Sequence, residues 1–186
     1  MTDLLALVER VAGWAGDGEA VEAYVARSHH TEVRAYEGEV ESLSSAATEG
    51  VGIRVLAGGR QGFAYAASLD EAILAETLAE ARDNATFATV DDFAGLAGPD
   101  GVAPADIDLW QDELADFSTA DKVALAIEVE RVTRSADPRI KGVETASYDD
   151  VSSEAAVASS EGIRVSTRRT VCSVYVDAMA TDGDQT

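Results

Sequence analysis

The chain has 186 residues, 46% apolar and 26% charged, and its 14 basic against 35 acidic side chains leave a formal charge of −21. Enough apolar material is present for a core, so the charge does not signal disorder, and the length allows one domain or two small ones. A polyanion whose densest basic spot is Arg164, Arg168 and Arg169 repels phosphate backbones and anionic lipid, which argues against direct nucleic-acid binding.

Met1-Thr2-Asp3-Leu4-Leu5 has no cationic leader segment, and no stretch reaches the roughly 18 uncharged apolar residues of a membrane span, so a cytoplasmic location is expected. Thr2 or Asp3 can cap a first helix near residues 3–14, in which Leu4, Leu7, Val8 and Val11 fall on one face. Residues 21–25 and 31–36 are rich in β-formers, and polar Ser28-His29-His30 between them reads as a turn. The segment 52–56 alternates and breaks at Gly58-Gly59, where missing Cβ atoms suit positive φ. Residues 62–66 return as the partner strand of a hairpin.

Ser68-Leu69-Asp70-Glu71 has the form of a capping box before a helix over 70–85, with Leu74, Thr77, Leu78 and Ala81 on one face. From about 87 to 116 the pattern dissolves into acidic residues, glycines, Pro99 and Pro104, which reads as a linker. Ser118 to Asp121 opens a third helix over 118–136. Val123, Ala126, Ile127, Val129 and Val132 form its apolar face, and Asp137-Pro138 ends it. Residues 52–65, GIRVLAGGRQGFAY, can be laid without a gap on 162–175, GIRVSTRRTVCSVY, which suggests a second hairpin and a weak internal duplication.

The expected fold class is therefore α+β, with two related units each of a helix plus mainly antiparallel strands, the second truncated. The units are placed at 1–86 and 117–186, with the acidic linker at 87–116. Because a closing helix would have to begin near residue 178, the sheet of residues 140–180 is expected to expose an apolar face built from Ile163, Val165 and Val171, with an unpaired edge.

Candidate chemistry is sparse. His29 and His30 are neighbours, and in a strand they point to opposite faces, whereas zinc needs three or four converging ligands; they read as exposed turn residues. Asp91-Asp92 and Asp149-Asp150 lack the spaced oxygen ligands of a calcium loop and read as solvated acidic loops. Ser152, Ser153, Ser159 and Ser160 have neither a histidine in their half of the chain nor a nucleophile elbow. Cys172, the only cysteine, precludes an intrachain disulfide and reads as a small buried hydrophobe. Gly58 to Gly62 lacks the lysine and Ser/Thr of a phosphate loop. Trp14, Trp110, Tyr65 and Tyr175 read as core or interface anchors. No catalytic, cofactor-binding or metal residue is assigned.

The order of short motifs resembles the amino-terminal part of the TldD/PmbA family, on its PmbA (TldE) branch. The resemblance rests on Gly38-Glu39-Val40-Glu41, Gly52-Ile53-Arg54-Val55 and Gly59-Arg60-Gln61-Gly62-Phe63-Ala64, then on Phe93-Ala94-Gly95-Leu96 and Asp106-Ile107-Asp108-Leu109. It continues through Asp137-Pro138-Arg139-Ile140, Ser159-Ser160-Glu161-Gly162 and Asp182-Gly183-Asp184. It implies a cytosolic subunit pairing with a TldD-type chain in a zinc-dependent peptidase that acts on unfolded peptides. The zinc would sit on a His-Glu-containing helix of the TldD-type partner. This sequence contains no His-Glu dipeptide, so neither His29 nor His30 inherits a role, and zinc is expected only in that partner. The family's older label, modulator of DNA gyrase, gains nothing from a charge of −21. Two functions follow as expectations: a non-catalytic subunit region that pairs with a TldD-like chain or with itself, or an independent module that holds an extended peptide by edge pairing.

Overall fold

The computed structural model describes residues 3–103, 105 and 107–183; Thr2, Pro104, Asp106 and Asp184 lie outside them. Helix α1 (Leu4–Ala12) starts where Asp3 Oδ1 accepts the Ala6 N–H at 3.1 Å. Strands β1 (Glu19–Tyr36), β2 (Glu39–Ala57) and β3 (Arg60–Ala66) follow, then helices α2 (Glu71–Phe87), α3 (Asp112–Ala115) and α4 (Thr119–Ala136), and finally strands β4 (Ile140–Ser159) and β5 (Arg164–Ala180). The strands form one five-stranded sheet in the order β3-β2-β1-β4-β5. As residue numbers rise along β1 they fall along β4, from Arg27 with Glu154 to His30 with Asp149 and Arg34 with Thr145, so the central pair is antiparallel. The fold is α+β with an antiparallel sheet, as expected.

Three sequence expectations change. Ser28-His29-His30 lies within β1 instead of forming a turn. Its polar side chains find cross-strand partners: the Ser28 and Thr48 hydroxyls are 2.9 Å apart, and His29 Nε2 is 3.0 Å from Ser45 Oγ. β1 has a strand on each side, so ladder pairing outweighs local turn preference. Second, residues 162–176 form no hairpin, because 164–180 is a single strand. The first hairpin turns at Gly58 and Gly59, with φ of 56° and 72°, and pairs Val51 with Ala66 through Ala57 with Arg60. The superposed copy places Arg168-Arg169 there, and side chains with a Cβ adopt such a turn only at a cost, so the second hairpin does not form. Third, the Ser68 box does not form. Helix α2 begins at Glu71, and Ser68 Oγ instead accepts the Asp70 N–H at 3.2 Å.

Two compact units share the strands. One comprises residues up to Ser28, Thr48–Asp108 and Ser153–Arg168; the other comprises His29–Ala47, Leu109–Ser152 and the chain from Arg169.

The core of the first unit joins Leu7, Val8 and Val11 of α1 and Leu74, Leu78 and Ala81 of α2 to Val21, Val25, Ile53, Val55 and Ala64 of the sheet. Alternation along β1 puts Val21, Ala23 and Val25 inward. Gly62 lets α2 approach β3: a Cβ there would meet Ala85 Cα at 2.9 Å and lie nearer still to Ala81 O and Ala85 N. Arg82 of α2 ties the unit further, through a 2.8 Å ion pair with Glu19 and a 2.9 Å hydrogen bond to the Trp14 carbonyl.

The second unit packs Val33 and Ala35 of β1 and Tyr148 of β4 against Ala126 of α4, flanked by Phe117, Val123, Leu125 and Ile127. Ser118 caps α4 as expected, accepting the Asp121 N–H at 3.2 Å, and the helix stops at Ala136 before Asp137-Pro138. Val123, Ala126 and Ile127 of the expected apolar face do turn to the core, but two charged residues share the inward side. The buried positions are Lys122, Ala126 and Glu130, one per turn, while Val132 is 48% exposed.

β5 is an edge strand whose residues are exposed along its length except half-buried Thr170. Val165 and Val171 are exposed as expected, together with Val174, Tyr175 and Met179; Ile163 is half-buried.

Candidate functional site

Two buried charges organise the second unit, and both stand on the inward face of α4. Lys122 projects toward β4 and β1, where its Nζ lies 2.5 Å from Asp150 Oδ2 and 3.4 Å from Thr31 Oγ1. The side chains of Lys122 and Asp150 are each 8% exposed, so both have lost most of their hydration. Beside the pair opens a cavity of about 250 Å³, lined by Phe117, by the hydroxyl-bearing residues Thr31, Thr119, Ser152 and Thr170, and by exposed His29 and Ser45. Asp150 Oδ2 and the nearby Tyr148 hydroxyl are both buried without a well-formed hydrogen bond among the described residues, Asp150 keeping its ion contact with Lys122. The neighbouring Tyr148 ring packs on Phe117 with centroids 5.9 Å apart. Its hydroxyl is held above the ordinary phenol range, first by burial and then by the Asp150 carboxylate, so it stays protonated.

Two turns further along α4, Glu130 is almost wholly buried and serves the backbone. Its carboxylate accepts the Glu37 N–H at 2.8 Å and the Gly38 N–H at 2.9 Å, and Arg134 Nε donates to it at 2.9 Å. These are the two turn residues between β1 and β2, both at positive φ, 55° and 81°. Burial alone would raise the Glu130 pKa, but the Gly38 N–H, Arg134 and the Glu37 N–H together outweigh it and hold the carboxyl below its ordinary value.

In the first unit, the sheet face opposite the core carries Tyr24, Phe63 and Tyr65, with the Phe63 and Tyr65 rings stacked at 6.4 Å. A recess of about 380 Å³ runs along it, floored by Gly50 and Gly52 and walled by Tyr24, Thr48 and Tyr65.

The side chains weighed from sequence mostly disperse. His29 and His30 are exposed on β1, the latter 3.6 Å from Asp149. Asp91 and Asp92 are exposed in a loop, as expected. Asp149-Asp150 is not a solvated loop: both residues lie in β4, and Asp150 is buried because Lys122 compensates its charge. Cys172 lies on edge strand β5 and is exposed, so it is not the buried hydrophobe expected from sequence. Ser159 and Ser160 fasten backbone, accepting the Ile163 N–H at 3.2 Å and the Val21 N–H at 3.0 Å. Trp14 packs on the first core, whereas Tyr65 and Tyr175 are 78% and 56% exposed and anchor no core.

Sequence reading missed Lys122, Thr31 and Glu130. The available signal was their spacing, since Lys122, Ala126 and Glu130 recur every fourth residue, but a charged residue on such a stripe is ordinarily assigned to solvent. Among the described residues no group of three or more His, Cys, Asp or Glu side chains gathers as a metal site. No described helix is long and apolar enough to cross a membrane.

Two family models match, in order along the chain: PmbA/TldA metallopeptidase domain 1 over residues 21–85, and the PmbA/TldA metallopeptidase central domain over residues 112–186. Metalloprotease PmbA of Escherichia coli O157:H7 is 29% identical over 136 residues, which is 72% of this chain and 30% of that protein. Among solved structures, TldE from Thermococcus kodakarensis superposes with a TM-score of 0.80 at 19% identity, over 96% of this chain and 39% of its own. A Bacteroides thetaiotaomicron protein described as a modulator of DNA gyrase gives 0.83 at 21% identity, over 97% of this chain and 42% of its own. A Thermotoga maritima protein described in the same way gives 0.82 at 18% identity, over 96% and 40%. The chain thus spans less than half the length of each of these relatives, and the structural likenesses establish the fold.

Proposed function

This chain belongs to the PmbA/TldD metallopeptidase family, and from that premise we propose that it forms the non-catalytic amino-terminal and central region of a PmbA/TldE-like subunit. In this reading the subunit pairs with a TldD-type chain that holds the zinc, and the assembly degrades or processes unfolded peptides in the cytoplasm. The observation that carries it is the succession of the two family domains on residues 21–85 and 112–186. The donor set of the described residues does not fit a zinc site, because His29 and His30 diverge on β1 and Cys172 stands alone on β5. No catalytic step is therefore assigned to these residues. The exposed aromatic face of the first unit and the exposed β5 supply surface for association.

Metal analysis and a peptidase assay test the reading together. Chelator-washed protein is expected to retain no stoichiometric zinc and to hydrolyse an unfolded peptide only in the presence of a TldD-type chain. One tightly bound zinc per chain, with activity lost on changing His29 or His30, overturns it.

One observation favours a second reading, an independent module that holds an extended peptide: β5 leaves a long exposed strand at the sheet edge. A strictly monomeric mass by light scattering at tens of micromolar, with no gain on adding a TldD-type chain, would move the balance to that module.

A further inference from the structure

The cavity beside Lys122 and Asp150 is small, polar and internally charged, and those three properties together select a ligand. Its volume of about 250 Å³ is the liquid share of about eight water molecules, below the range of drug-sized sites and suited to a molecule of a few heavy atoms. An ammonium group has three donors; that of Lys122 spends one on Asp150 and reaches Thr31 only at 3.4 Å. The Asp150 carboxylate, beside which the buried Tyr148 hydroxyl also lies, has more acceptor sites than Lys122 and that hydroxyl can fill, and the Lys122 and Asp150 side chains are both more than nine-tenths buried. A buried pair recovers its lost hydration only when its remaining donors and acceptors are also met.

Ligands with a single charge fit poorly. An anion drawn to Lys122 meets the Asp150 carboxylate 2.5 Å away and the field of a chain carrying −21, while a cation drawn to Asp150 meets the Lys122 ammonium. A molecule bearing both charges on one carbon, its ammonium nitrogen two bonds from its carboxyl carbon, satisfies both groups, with its carboxylate toward Lys122 and its ammonium toward Asp150. The hydroxyls of Thr31, Thr119 and Ser152 remain for further hydrogen bonds, and Phe117 offers an apolar wall.

We propose that this cavity is a binding site for a small zwitterion of the free α-amino acid class. The inference stands on the geometry of the second unit alone and does not depend on the assembly reading.

Calorimetric titration of the unaltered protein tests it, with glycine and L-serine as zwitterionic probes and acetate and methylammonium as probes carrying one charge each. At least one zwitterion is expected to bind saturably, one per chain, by about 10 mM, and each single-charge probe at least about tenfold more weakly. Lys122→Met/Asp150→Leu, which removes both charges and keeps the general shape of each side chain, is expected to lose at least about tenfold in affinity. Thr119→Trp, at an exposed position on the cavity wall, is expected to do the same by obstructing entry. The proposal is overturned if neither zwitterion binds, if acetate or methylammonium binds as tightly, or if Thr119→Trp and a folded double variant bind glycine unchanged. Because every probe is used without a partner chain, zinc or peptide, failure here leaves the assembly reading untouched.

Discussion

Glu130 shows how one residue can set the local geometry of a hairpin. Its carboxylate accepts two N–H groups from a turn held at positive φ, one of them from Glu37, a residue with a Cβ. Hydrogen bonds to charged groups are worth roughly 1.5–3 kcal/mol each, so Glu130→Gln is expected to lower stability by at least about 1.5 kcal/mol, read as a reduced urea midpoint. Its pKa is lower folded than unfolded. The stabilisation is therefore complete above the ordinary glutamate value of about 4.3 and is lost as pH falls through the depressed folded value. Urea midpoints across the acid range should fall less steeply in Glu130→Gln than in the parent; equal slopes would remove the carboxylate clamp. Lys122 and Asp150 pose the complementary case. Lys122→Met alone strands a buried carboxylate and is expected to cost about 3–5 kcal/mol, whereas the double change Lys122→Met/Asp150→Leu should recover most of that loss. A thermodynamic cycle of the two single variants and the double variant measures the coupling.

Among elements, the contact between α2 and β3 is the one most sharply dictated by a single position. Gly62 faces the Ala81 to Ala85 turn of α2 with no room for a Cβ, so Gly62→Ala must displace the helix or distort the strand. Overpacking of this kind costs about 1–3 kcal/mol, or about 2–4 °C in Tm for each kcal/mol in a chain of this size. A thermal scan that shows Gly62→Ala as stable as the parent would mean that the helix yields freely. The neighbouring hairpin depends on glycine for another reason: Gly58 and Gly59 both sit at positive φ, the conformation that a two-residue turn between twisted strands requires. The same requirement explains why β5 runs straight through Arg168-Arg169.

At the scale of the molecule, charge and exposed apolar surface oppose each other. Like-with-like contact between chains of −21 is repulsive, yet a Debye length of about 8 Å at physiological salt confines that repulsion to short range. Apolar side chains along β5, among them Val165, Val171, Val174 and Met179, stand ready to be buried in such a contact. Self-association is therefore expected to strengthen as salt rises. Light scattering over a concentration series at low and high ionic strength checks this, and a mass that stays at 19.4 kDa throughout would leave a heterologous partner as the occupant of that surface.

Elements whose causes are local can be read along the chain. Helices near 3–14, 70–85 and 118–136 were legible from apolar spacing and from Asp3 and Ser118, and the 52–66 hairpin from its two glycines, because caps and turns are settled by residues a few positions apart. The family, too, was legible, from the order and spacing of short motifs. Which strands run through their polar stretches depends on pairing between distant segments, since Ser28-His29-His30 becomes strand only when β2 and β4 pair on either side. The tertiary structure also decides which charges turn inward. Lys122 is compatible with burial because Asp150 comes from a different element, and Glu130 because the Glu37-Gly38 turn presents two N–H groups to it. Burial of a charge depends on a partner 28 residues away for Lys122 and more than 90 residues away for Glu130, a separation that periodicity along a single helix does not encode.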